Sequence, residues 1–215
     1  MPKFKIVADS SADTFAFDKT PFSSAALKII TSEKEFTDNQ ALNLKEMVDY
    51  LSNYKGKSST SCPNCEDWLD AFGDAENVFC VTITSNLSGS YNAAMLAKDT
   101  YETEHPDRKV YVIDSLSAGP ELRLIVEKLA ELINEYGDFE KVRETICEYT
   151  KSTGLLFMLQ SMKNLANNGR VSHIAAKMAG ILGIRALGKA SDIGTLEMLE
   201  AGAEKEHRIE FKFIG

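Results

Sequence analysis

Three apolar runs end at small polar residues, and the segments downstream of them limit the folds open to this chain. Phe4-Lys-Ile-Val-Ala8 stops at Asp9-Ser-Ser11, Asn77-Val-Phe-Cys-Val-Thr-Ile83 runs into Thr84-Ser-Asn-Leu-Ser-Gly-Ser90, and Lys109-Val-Tyr-Val-Ile113 stops at Asp114-Ser115. Each reads as a buried strand. The second leads into an Ala- and Met-containing helix from Tyr91 to Thr103. The third leads into a long helix with Leu122, Ile125, Val126, Leu129, Leu132 and Ile133 at helical spacing. This alternation predicts an α/β fold, a parallel sheet covered by helices.

Between the first two strands, Ala25 to Ile30 and Lys34 to Phe36 read as short strands. Asn43-Leu-Lys-Glu46 resembles a capping box opening a helix that holds Met47, Val48 and Leu51. Lys57 to Cys62 reads as a polar loop, and Pro63 suits the first turn of a helix with Trp68, Leu69 and Phe72 on one face. Asp138 is expected to cap a helix to Thr150, and Leu155 to Leu159 to form a strand opening a second unit. The boundary is placed near residue 150, giving an α/β domain over 1–150 and part of a second, shortened α/β domain over 151–215. The stretch from Ile174 to Leu187 is rich in Ala, Gly and Ile.

Charge and composition exclude several functions. With 24 Lys and Arg against 32 Asp and Glu, the net charge is −8, and no long basic block is present, which disfavours nonspecific binding to nucleic acid or anionic lipid. Apolar runs such as Leu155 to Leu159 fall far short of the roughly 18 residues of a membrane span. The opening residues reach Asp9 before a signal-peptide core develops, so no export signal is read and a soluble cytoplasmic protein is expected. The 4 Cys are too sparse for a disulfide scaffold, in keeping with a reducing compartment.

The serine-rich segment from Thr84 to Ser90 lies where a strand becomes a helix. Free backbone N–H groups and the positive end of the helix dipole meet there beside two hydroxyls, Ser85 and Ser88. The segment reads equally as an anion site or as a plain helix cap. It lacks the G-x-x-x-x-G-K-[ST] order of a nucleoside triphosphate loop and the G-x-S-x-G of a hydrolase elbow. Parallel strands would bring Asp9-Ser-Ser11 and Asp114-Ser115 to the same sheet edge, where ligands bind in open α/β sheets; the plainer reading is that both cap backbone.

Cys62-Pro-Asn-Cys65 fits C-x-x-C at a helix start, but Ser58-Ser-Thr-Ser61 stands where a redox motif has an apolar strand. A zinc site needs two more ligands, and Cys80 and Cys147 sit in core-like segments. No metal or other cofactor is expected. His105, His173 and His207 have no partner at metal-ligand spacing; His105 is expected to be solvated, and His207 lies in the charged run from Glu204 to Arg208. Asn167-Asn-Gly-Arg170 is a turn carrying a guanidinium suited to clamping a carboxylate or phosphate, although most turn arginines are simply exposed.

Taken together, Ile6-Val-Ala-Asp-Ser-Ser11, Thr60-Ser-Cys-Pro63, Ile83-Thr-Ser-Asn-Leu-Ser-Gly-Ser-Tyr-Asn-Ala93, Val112-Ile-Asp-Ser115 and Asn168-Gly-Arg-Val-Ser172 resemble, in order, the motifs of the DegV family of bacterial fatty-acid-binding proteins. The resemblance implies a two-domain α/β carrier, not an enzyme, that holds one long-chain fatty acid in a tunnel between its domains. Some members present the acid to a fatty acid kinase. Carried over, the ligand-binding residues are Thr60 and Ser61 of the T-S-x-P loop with Ser85, Ser88 and Gly89 of the serine loop, and Arg170 lies near the carboxylate or the partner surface. The family chain is longer and has a late histidine near the acyl head group; His207 is not assigned that role, and the family likeness does not explain Cys62 and Cys65. Burying about 14 methylenes at about 0.8 kcal/mol each contributes on the order of 11 kcal/mol, offset by association costs of roughly 4 kcal/mol or more. The reading from another class is an enzyme, either a thiol oxidoreductase using Cys62 and Cys65 or a phosphate-handling protein using the serine loop.

Overall fold

Strand alternation decides the architecture. In β1 (Phe4–Asp9), Ile6 and Ala8 face one side and Val7 the other; in β6 (Asn77–Thr82), Phe79 and Val81 face one side and Val78 and Cys80 the other, and all are fully buried. A strand apolar on both faces needs cover on both faces. The computed structural model supplies it and describes residues 1–17, 20–159, 161–171 and 184–203. Ser172, His173, most of the Ala/Gly/Ile-rich stretch and the charged run with His207 lie outside the described residues.

The chain divides into two units: Met1–Leu155 with Asp192–Thr195, and Leu156–Ser191 with Leu196–Gly215. In the first, β1 and β6 join β2 (Phe22–Ala25) and β7 (Lys109–Asp114) in an all-parallel sheet of order β2-β1-β6-β7. A second sheet, antiparallel and of order β4-β3-β5, holds β3 (Lys28–Ile30), β4 (Glu35–Thr37) and β5 (Ser59–Ser61). The helices are α1 (Leu44–Asn53), α2 (Cys65–Phe72), α3 (Ser90–Glu104), α4 (Pro120–Tyr136) and α5 (Phe139–Thr150).

One face of the parallel sheet packs on α4 and α5 through Leu122, Ile125, Leu129, Val142 and Ile146, with the Phe139 ring stacked 4.9 Å from that of Phe79. The other packs on α2 and α3 through Trp68, Phe72, Ala94 and Ala97. Alanines on α3 let that helix approach the sheet closely, which the aromatic rings of α2 would not.

Local chemistry moved several boundaries. Ser59 to Ser61 forms β5 and not a loop, because its backbone pairs with β3 although its polar side chains give no strand signal. Pro63 precedes α2, which is capped by Asn64 and Asp67 in a reciprocal box. The box expected at Asn43 is half made: Asn43 accepts from the Glu46 N–H, while the Glu46 carboxylate pairs with Lys34 at 3.1 Å. His105 is packed, its ring edge-on to Tyr101 at 5.4 Å, and is not merely solvated.

In the second unit, β8 (Leu156–Leu159), β9 (Ile184–Ala190) and β10 (Leu196–Ala203) form an antiparallel sheet of order β10-β9-β8, and α6 (Lys163–Asn167) precedes the Asn168–Arg170 turn. Met162 and Ala186 are its buried centre.

Candidate functional site

The chain leaves β1 toward β2 on one side and β6 toward β7 on the other, so the connections diverge between β1 and β6. In an open parallel sheet such a divergence leaves a crevice beyond the strand C-termini. The serine loop, Ile83 to Gly89, rises from β6 at that point and feeds α3.

Two strand-end carboxylates hold this loop. Asp9, at the end of β1, is fully buried, and its Oδ2 accepts the Ile83 N–H at 2.8 Å and the Ser90 hydroxyl at 2.7 Å. Its Oδ1 accepts the N–H and hydroxyl of Ser11. Asp114, at the end of β7, accepts the Ser85 N–H at 3.1 Å and the Leu116 N–H at 3.2 Å on Oδ1. Burial pushes the Asp9 carboxyl above the usual carboxylate range, against the pull of its hydrogen bonds from Ser11, Ser90 and Ile83. Burial also raises the Cys80 thiol well above its ordinary value, with the Asp9 charge adding to it.

Other backbone donors here are engaged by acceptors of the first unit. The Thr84 N–H donates to the Ser117 carbonyl at 2.8 Å, the Asn86 N–H to Thr84 Oγ1 at 3.3 Å, the Leu87 N–H to the Thr84 carbonyl at 3.0 Å, and the Ser90 N–H to Ser88 Oγ at 3.2 Å. The N–H groups of Ser88, Gly89, Tyr91 and Asn92 have no acceptor among the described residues, and α3 begins without a side-chain cap. Those four donors lie at the positive end of a 15-residue helix, an arrangement suited to one anionic group. Ser88 Oγ accepts from Ser90, which leaves its own proton available to a ligand.

The T-S-x-P loop lies beside it. Thr60 and Ser61 occupy β5, paired with Ile29 and Lys28, and the next residue, Cys62, places its sulfur 3.3 Å from the position a β-carbon on Gly89 would take. Thr60 and Gly89 are exposed; Ser61, Ser85 and Ser88 are half-buried. Five of the six residues anticipated for the ligand therefore sit on β5 and on the serine loop of the first unit. Arg170 belongs to the second unit, where its N–H donates to the Leu165 carbonyl at 2.8 Å and its guanidinium reaches the Asn168 carbonyl at 3.5 Å.

Asp9, Ser90 and Asp114 were not among those six. The signal was present as acids ending two strands on either side of the serine loop, and the plainer of the two readings, that they cap backbone, is what they do. All four cysteines are free thiols, with Cys147 in hydrogen-bond contact with the Tyr111 hydroxyl at 2.8 Å. No group of metal-ligating residues occurs among the described residues.

Comparison with known proteins gives the family. The model of the family described as "Uncharacterised protein, DegV family" matches residues 3–210. This chain belongs to the DegV family. A DegV domain-containing protein of Streptococcus pneumoniae is 45% identical over 202 residues, covering 92% of this chain and 72% of the relative. A DegV family protein from Eubacterium eligens, solved loaded with heptadecanoic acid, superimposes with a TM-score of 0.91 at 44% identity, covering 93% of this chain and 72% of that one. The Streptococcus pneumoniae Fatty Acid Kinase (Fak) B3 protein, loaded with linoleic acid, also gives 0.91, at 43% identity and covering 94% and 73%. The α/β fold expected from the sequence, a parallel sheet covered by helices as in the DegV family, is thus the fold found, with antiparallel sheets in addition.

Proposed function

We propose that this DegV protein is a carrier of one long-chain fatty acid. The observation that carries the reading is the set of four N–H donors without acceptors among the described residues at the start of α3, beside Ser88, in a chain similar to proteins solved with fatty acids bound. The carboxylate is received by the Ser88 and Gly89 N–H groups and by hydroxyls of Thr60, Ser61, Ser85 and Ser88. Hydroxyls and N–H groups hold an anion without a buried lysine, which reconciles an acidic protein with an acidic ligand.

The carrier performs no chemistry of its own, needs no cofactor, works in the cytoplasm and presents the bound carboxyl to a fatty acid kinase. Similarity to the Fak B3 protein supports that partner. Arg170, in the second unit, serves the head group or the partner surface. The loops of the first domain, over 1–150, receive the head group, and the second, over 151–215, supplies lipid cover. Among the described residues no helix is long and apolar enough to cross a membrane.

Titration of the delipidated protein with saturated acids of increasing length tests the proposal. Affinity is expected to rise with chain length by up to about 0.8 kcal/mol per added methylene that the protein buries. Affinity independent of length would overturn it.

A further inference from the structure

One oxygen atom of Asp9 meets the serine loop at both of its ends. Oδ2 takes the Ile83 N–H where β6 has just ended and the Ser90 hydroxyl where α3 begins, so the intervening segment is closed into a ring on a carboxylate from another strand. Asp9 is fully buried and forms no ion pair among the described residues; its charge is met by hydrogen bonds alone. Within that ring lie the Ser88 and Gly89 N–H groups that have no acceptor among the described residues.

We infer that Asp9 is a positioning residue for head-group recognition: without touching the ligand, it fixes the serine loop so that donors converge on a carboxylate. The inference rests on the fatty-acid reading and deepens it, assigning discrimination of acid from uncharged head group to a residue of β1. Four donors need both oxygens. An asparagine at this position offers one acceptor and a second atom that only donates, so either the Ile83 or the Ser11 N–H would face an amide NH2. The loop would relax to satisfy itself, and its carbonyls would turn toward the place where the ligand's charge belongs.

The experiment uses the whole delipidated chain, as wild type, Asp9→Asn and Ser90→Ala. Dissociation constants are measured for a long-chain fatty acid and for the fatty alcohol of equal length, together with melting temperatures. Ser90→Ala keeps both Asp9 oxygens and removes one clamp. Asp9→Asn is expected to weaken acid binding about tenfold or more while alcohol binding changes by less than about twofold. Ser90→Ala is expected to shift the acid-to-alcohol ratio in the same direction by about threefold. An unchanged ratio in both variants, or equal losses for acid and alcohol, would overturn the inference. If Asp9→Asn does not fold, Ser90→Ala decides: a shifted ratio supports the inference and an unchanged one overturns it. A wild type that binds neither compound would instead overturn the fatty-acid reading itself.

Discussion

The sulfur of Cys62 stands 3.3 Å from the point where a β-carbon on Gly89 would lie, so the T-S-x-P loop and the serine loop approach to van der Waals contact at a residue without a side chain. The Gly89 backbone has φ −73, open to any residue, so the constraint there is space and not conformation. Gly89→Ala is expected to push the two loops apart, lowering fatty acid affinity a few-fold with little change in melting temperature. Cys62→Ala restores the room. In a double-mutant cycle the two changes should couple by about 0.5–1 kcal/mol, whereas strictly additive effects would show that the loops do not act together.

Ser85 and Ser88 carry hydroxyls on the loop that bears free N–H donors, and a hydrogen bond to a charged acceptor contributes about 1.5–3 kcal/mol. The double change to Ala is expected to weaken acid binding by more than about tenfold with the fold intact. Backbone N–H groups will partly mask either single change. Calorimetric titration of the double variant decides the matter, since affinity equal to that of the parent would place the carboxylate elsewhere.

Asp9 also leaves a signature in stability. Burial holds its folded-state pKa above the ordinary carboxylate value. Such a group contributes stability that is fully present below the unfolded pKa and is lost as pH rises through the folded one. Asp9→Asn does not titrate. The unfolding free energy of wild type minus that of Asp9→Asn is therefore expected to fall as pH rises above the ordinary aspartate value of about 4. Denaturant melts across that range check the sign, and a difference that grows with pH contradicts the assignment.

Gly194 has φ +79, and a β-carbon on it would lie 2.2 Å from Thr84 Oγ1 and 2.9 Å from the Leu116 Cα. Beside it the Ile193 carbonyl accepts from Asn86 Nδ2 at 2.6 Å. Gly194→Ala combines a left-handed backbone with a collision against a buried threonine, and is expected to cost about 1–3 kcal/mol. A melting temperature equal to that of wild type would show that Asp192–Thr195 does not rest on the serine loop.

Legibility in the sequence tracked physical cause. Runs such as Val78 to Val81 are apolar on both faces and announced a covered parallel sheet; the side-chain pattern was the structure. Three Ser and Thr residues at β5 carried no such pattern, because that strand exists through backbone pairing with β3. At the site, motif resemblance supplied Thr60, Ser61, Ser85, Ser88 and Gly89. The Asp9 clamp was missed because it joins residues 81 positions apart, and only the adjacency of β1 and β6 brings Ser90 to it.

The most direct measurement is the content of the protein as purified. Native mass spectrometry, with organic extraction and mass analysis of the released material, is expected to show one long-chain fatty acid per chain, lost on denaturation. Protein that emerges with no acyl ligand, and that takes up none when delipidated and incubated with long-chain acids, would contradict the carrier account at its centre.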